Sequence, residues 1–185
     1  MIFLSSFVRA IKYFEHGVPV FSVARWQPRS RAEARPWPEL SFLAATDAYG
    51  RPLRLRNYPD APIAGYCAAY GEALAARWAA VRQWLDGLSP DAHAVLACWC
   101  PHSSVGRRQV AEHGTFFCHT MLIGEVIRTA KPDVLVHPDR DRRERWWGAR
   151  RCEPSARVEP WWGADLTARL VQFAARPRAV VESQP

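Results

Sequence analysis

The sequence predicts an α/β domain, three-layered and Rossmann-like with a mainly parallel sheet, followed by an irregular C-terminal extension. Three observations carry that expectation. Runs rich in β-branched and aromatic residues, at Ile2 to Phe7, Val18 to Ala24 and His93 to Cys98, have the length and composition of strands. Stretches of helical periodicity separate them, so the chain opens as strand, helix, strand, the order of a parallel βαβ unit. Hydrophobic residues make up 49% of 185 residues, enough for the core of one ordinary domain.

Taken in order, Ile2 to Phe7 reads as a buried first strand. Val8, Ile11 and Phe14 then recur at threes, and Gly17 ends that helix. Val18 to Ala24 is the second strand. Arg25 to Pro38 is a polar loop long enough to carry function. Pro38 to Thr46 has proline where the first turn of a short helix tolerates it. Pro52 to Arg56 alternates like a half-buried strand. The clearest helix runs from about Ile63 to Leu85, with Tyr66, Tyr70, Leu74, Trp78, Val81 and Leu85 on one stripe and Gly87 as its stop. His93 to Cys98 follows as a buried strand. Ser103 or Ser104 is placed to cap a short helix closed at His113-Gly114. Met121 to Ile127 is a further helix, and Val134-Leu135-Val136 a late strand. The expected division is an α/β domain over residues 1–130 and a Trp- and Arg-rich extension over 131–185.

The net charge is +7 and the isoelectric point near 9.6, a balance that favours anionic partners such as nucleic acid, nucleotides or phosphorylated small molecules. Nearly all of the positive charge is arginine; Lys12 and Lys131 are the only lysines. The opening residues read as a strand rather than a secretory leader, and nothing approaches a membrane-spanning length. A cytoplasmic, reducing location is expected, where five cysteines point to chemistry or metal binding more than to disulfides.

Two cysteine clusters carry the chemical signal: Cys98-Trp99-Cys100-Pro101-His102 and Cys118-His119-Thr120. On a regular strand Cys98 and Cys100 face one side, and Pro101 stops the strand. Ligands of open α/β sheets gather at such carboxyl ends. Cys118 and His119 open a helix, whose unpaired amides and dipole stabilise a thiolate. Three readings stand. Cys98, Cys100, Cys118 and His119 form a tetrahedral zinc set, although their spacing departs from the usual paired-cysteine pattern. Alternatively Cys118 is a catalytic thiolate with His119 as base or orienting group and Cys100 as resolving thiol. Or the cysteines are small buried hydrophobes at a strand end. Cys67, near the start of the long helix, reads as core or groove lining.

Arg25 follows the second strand directly, placing a guanidinium at a strand carboxyl end, suited to phosphate or carboxylate. Arg29 and Ser30 continue that loop as substrate-binding candidates. Arg142, Arg143, Arg145, Arg150 and Arg151, interleaved with Trp146 and Trp147, have the composition of a stacking and phosphate-binding surface. Asp139, Asp141 and Glu144 dilute it, so a solvated tail packing its tryptophans back is the favoured account.

The segments Val20-Phe21-Ser22-Val23-Ala24-Arg25 with Pro28-Arg29-Ser30, Tyr66 to Leu74, and Ala94 to Cys100 with Cys118-His119 resemble the "domain of unknown function 488" family. The likeness spans roughly residues 2–128. Two positions depart from the family's pattern. Val23 stands where an aspartate usually precedes the arginine by two residues, and Thr120 stands where an arginine usually follows Cys-His. Both remove a charge, marking a divergent branch. The resemblance implies a Rossmann-like fold and a site at these residues, not a particular reaction.

Together these readings predict an enzyme acting on a nucleotide, nucleic acid or other anionic phosphorylated substrate through a cysteine-containing site. The alternative is a zinc-stabilised module that binds nucleic acid or protein without catalysis.

Overall fold

A computed structural model describes residues 1–25, 37–47, 49–58, 60, 62–99 and 118–138. Four strands form one sheet: β1 (Ile2–Ser6), β2 (Val20–Ser22), β3 (Ala94–Cys98) and β4 (Val136–Pro138). Their spatial order is β2-β3-β1-β4, and all three pairings are parallel. The four α-helices among the described residues are α1 (Phe7–Glu15), α2 (Pro62–Ala76), α3 (Trp78–Asp86) and α4 (His119–Ala130). The expected α/β architecture with a mainly parallel sheet is what these residues form.

The layers follow from the pleat. Phe3 of β1 packs its ring on Tyr13 of α1, with centroids 4.8 Å apart. Its neighbour Leu4 points the other way, and a Cβ added at Gly124 of α4 would lie 2.9 Å from Leu4 Cδ1. Successive strand residues face opposite sides, so α1 covers one face of the sheet and α4 the other. Gly124 is what lets α4 come that close. The α2 residue Tyr70 meets His119 of α4 edge to face at 5.7 Å, which puts α2 on the α4 side. The core lies between these layers and includes Ile2, Leu4, Val23, Tyr70, Leu74, Leu96, Leu122 and Ile127.

This topology positions the site. From β1 the chain enters α1 directly and crosses β3 to reach β2. After β3, the chain reaches α4 on the opposite face and crosses β1 to reach β4. The adjacent strands β1 and β3 therefore feed helices on opposite faces. The edge beyond their carboxyl ends is a topological switch point, the place where open α/β sheets take ligands. Ser6 and Cys98, register partners at the ends of β1 and β3, border it.

Several local expectations need correction. The single long helix is two, divided at Arg77 (φ −106°, ψ 15°). The Arg77 guanidinium turns inward to donate to the carbonyls of Phe42, Ala44 and Thr46 at 3.3, 3.3 and 2.6 Å, while Nε donates to the Ala73 carbonyl at 3.0 Å. Residues 38–46 do not begin as a helix. Pro38 lends its carbonyl to Ser22 N–H (2.9 Å) and Leu40 N–H donates to the Ser22 carbonyl (2.8 Å), so this stretch docks along the edge of β2 before a short 3₁₀ turn, Ser41–Leu43. Residues 52–56 form no strand beyond an isolated bridge between Thr46 and Pro52. Asp47 Oδ1 accepts from the Tyr49 and Arg51 amides at 2.9 and 2.8 Å, and Gly50 takes φ +75°. This side-chain turn satisfies the backbone locally, in competition with a sheet ladder. The late strand lies at Val136–Pro138, paired in parallel with β1. No helix among the described residues is long and apolar enough to cross a membrane.

Candidate functional site

The end of β3 delivers Cys98 to the α4 face, because Cys98 pairs in register with Ser6 and so shares the side of Ile2 and Leu4. Cys118 is the N-cap of α4, with extended backbone (φ −142°, ψ 140°) and no capping bond from its side chain. Its sulfur turns inward instead. Cys98 Sγ and Cys118 Sγ lie 3.1 Å apart, both buried. Thr120 Oγ1 donates to Cys118 Sγ at 3.1 Å. His119 Nε2 lies 3.0 Å from the Val23 carbonyl; an oxygen there only accepts, so Nε2 carries the proton. That leaves Nδ1 facing Cys118 Sγ at 4.0 Å. One carbonyl thus fixes both the tautomer and the orientation of the ring.

Cys98, Cys118 and His119 each offer one ligand atom, and these atoms lie within 4.8 Å of one another. The cluster could bind a metal ion. A His ring that donates its second N–H to a backbone carbonyl is the usual support for a metal ligand. Around the cluster, Tyr70 packs its ring edge against His119 and donates its hydroxyl to the Leu43 carbonyl at 2.6 Å. Burial pushes the Tyr70 phenol well above its ordinary value; Arg77 opposes that, and the two cysteines add to it.

The sequence-derived candidates divide clearly. Cys98, Cys118 and His119 are brought together. Arg25 is exposed, two residues past the Val23 carbonyl that orients His119. Cys100, Arg29 and Ser30 lie outside the described residues, as do His102, His113, Cys152 and the basic, Trp-rich tail. The sulfur set against Cys118 among the described residues is that of Cys98. Cys67 is fully buried, and burial pushes its thiol up to about 12. Thr120 and Val23 both touch the site, one through its hydroxyl and one through its carbonyl.

Sequence reasoning missed Ser6. It is 1% exposed, it is the N-cap of α1, and its hydroxyl has no hydrogen-bond partner among the described residues. The available signal was a hydroxyl at the end of a buried strand that runs straight into a helix.

No family model matches the chain, and neither the curated proteins nor the solved structures contain a match.

Proposed function

We propose that this chain is a thiol-dependent enzyme in which Cys118 is the nucleophile, acting on an anionic phosphorylated substrate at the carboxyl edge of the sheet. The observation that carries the reading is the convergence of two donors on one sulfur. Thr120 Oγ1–H points at Cys118 Sγ, and the Cys98 sulfur sits close enough to direct its S–H there as well. Donors aimed at a sulfur favour its thiolate, and the amino terminus of α4 adds to that.

Magnitudes decide whether this outweighs burial. Cys67, buried with desolvation as its cause of shift, is biased by about 4 kcal/mol against its thiolate. The Thr120 hydrogen bond to the charged sulfur contributes about 1.5–3 kcal/mol, the weaker Cys98 S–H donor about 0.5–1.5 kcal/mol and a helix terminus about 0.3–1 kcal/mol. Their sum is comparable with a burial bias of the size seen at Cys67. In the reaction the sulfur gives its electron pair to the substrate's electrophilic centre. The leaving group departs with the electrons of its broken bond and takes a proton from Cys98. Water then displaces the sulfur, with His119 Nδ1 accepting its proton. Arg25 and the net charge of +7 draw the anion.

The test is alkylation by iodoacetamide at neutral pH, followed by peptide mapping. Cys118 and Cys67 are comparably buried, so their rates compare thiolate character rather than access. Cys118 is expected to label at least about a hundredfold faster. Equal rates would remove the nucleophile.

The ligand geometry also favours a second reading, a zinc ion held by Cys98, Cys118 and His119 Nδ1 with a fourth position open. Tetrahedral Zn–S bonds of about 2.3 Å need sulfurs about 3.8 Å apart, wider than the 3.1 Å seen. The sulfurs would have to part on binding, which is why the thiol reading ranks first. Elemental analysis of protein purified without added metal separates the two: about one zinc per chain supports the metal, and none supports the free dithiol.

A further inference from the structure

We propose that Ser6 and the first turn of α1 form the subsite that receives the anionic oxygens of the substrate, a phosphoryl group, beside the Cys98–Cys118 pair. The inference rests on the thiol-enzyme reading for its purpose but on separate observations for its location.

The first observation is a polar group without a partner among the described residues. Ser6 Oγ is buried and no described residue hydrogen-bonds to it. A hydroxyl left so in a protein interior is destabilising unless a ligand completes it. Its direction is set by register. Ser6 pairs with Cys98 at the end of the sheet, on the side of Ile2 and Leu4, which is the side of α4. The hydroxyl is therefore turned to the side of the sheet on which the Cys98–Cys118 pair lies.

The second observation is the helix that Ser6 begins. An N-cap serine ordinarily accepts from an amide of the first turn. Here the Ser6 side chain makes no capping bond, and the first turn of α1 holds no acidic residue. The positive end of a nine-residue helix is thus compensated neither by its cap side chain nor by a local carboxylate. The same holds for α4 on the other face, whose N-cap sulfur makes no capping bond and whose first turn is also free of acid. Two helix amino termini on opposite faces meet at the switch point between β1 and β3. Such termini favour oxyanions through their free amides and their dipoles. A phosphoryl group there sits next to the nucleophile without any added cation.

A structural serine and a ligand-binding serine respond oppositely to substitution. Ser6→Ala in the full chain removes an unsatisfied buried hydroxyl, so its melting temperature without ligand is expected to equal or exceed that of the wild type. Its affinity for inorganic phosphate, measured by calorimetry at low ionic strength, is expected to fall at least about tenfold. Ser6→Cys, similar in size with a weak donor, is expected to lose affinity in the same direction, which keeps the test decisive should the alanine variant fold poorly. Wild-type protein that takes up no phosphate, or a variant that binds it as tightly as wild type, overturns the proposal. Failure of the thiol reading appears elsewhere, as a Cys118 alkylation rate no faster than that of Cys67 in phosphate-free protein.

Discussion

Tyr70 supports the site from behind, and replacing it with phenylalanine separates its two contributions. Its side chain is fully buried; the hydroxyl donates to the Leu43 carbonyl at 2.6 Å, and the ring edge meets His119 at 5.7 Å. Tyr70→Phe keeps the ring and its edge contact but leaves the carbonyl of Leu43, itself 1% exposed, without that donor. An orphaned buried acceptor costs about 1–3 kcal/mol. For a domain of this size that corresponds to a fall in melting temperature of about 2–4 °C per kcal/mol. Because the ring still buttresses His119, alkylation of Cys118 should stay within about twofold of wild type. Tyr70→Ala removes both contributions and should lose about 3–5 kcal/mol together with the ring's support of the site. Urea unfolding and iodoacetamide kinetics on the same samples give both quantities. A Tyr70→Phe variant as stable as wild type would refute the hydrogen-bond argument, and one with greatly slowed Cys118 labelling would show that the hydroxyl, not the ring, holds the site.

Other expectations follow from the same contacts. Thr120→Val removes the hydroxyl that donates to Cys118 Sγ at nearly constant volume, so the Cys118 alkylation rate should fall about tenfold or more; an unchanged rate would leave that bond without a role. The Cys67 thiol is raised from 9.0 to about 12, so the folded chain keeps a proton that the unfolded chain loses between those values. Stability should therefore fall as pH rises through that window, by about 4 kcal/mol from this group, and urea unfolding of Cys67→Ala should show a flatter alkaline limb than wild type. Gly124→Ala places a methyl against Leu4, costing about 1–3 kcal/mol in overpacking and regaining about 1 kcal/mol of helix preference at most; Leu4→Val should rescue it in a double-mutant cycle, and purely additive effects would contradict the contact.

Much of this was legible from residue patterns. The strands at Ile2, Val20 and Ala94 announce themselves because buried parallel strands need continuous apolar runs, and Cys118-His119 at a helix start is visible from the periodicity that follows it. What periodicity cannot carry is the partner of each group. Residues 52–56 alternate correctly but have no strand to pair with, because Asp47 ties the turn to its own backbone. Arg77 sits in a sequence of good helix formers, yet three carbonyls from a distant segment draw its side chain and the helix divides there. The choice of Cys98 against Cys118 depends on register, which places Cys98 beside Ser6 on the α4 face. Ser6 stayed hidden for a related reason: an unpartnered hydroxyl is a property of its surroundings, not of the letter.

The central claim is that Cys98 and Cys118 share one buried site at the switch point. Mild oxidation with diamide tests it most directly, since the reagent takes up the two thiol hydrogens as the sulfurs join and is itself reduced to the hydrazine. From 3.1 Å the sulfurs need to close by only about 1 Å to reach disulfide distance. Peptide mapping is predicted to recover Cys98 linked to Cys118. A bond from Cys118 to Cys100 instead, or two thiols that stay unlinked while the protein remains folded, would contradict it.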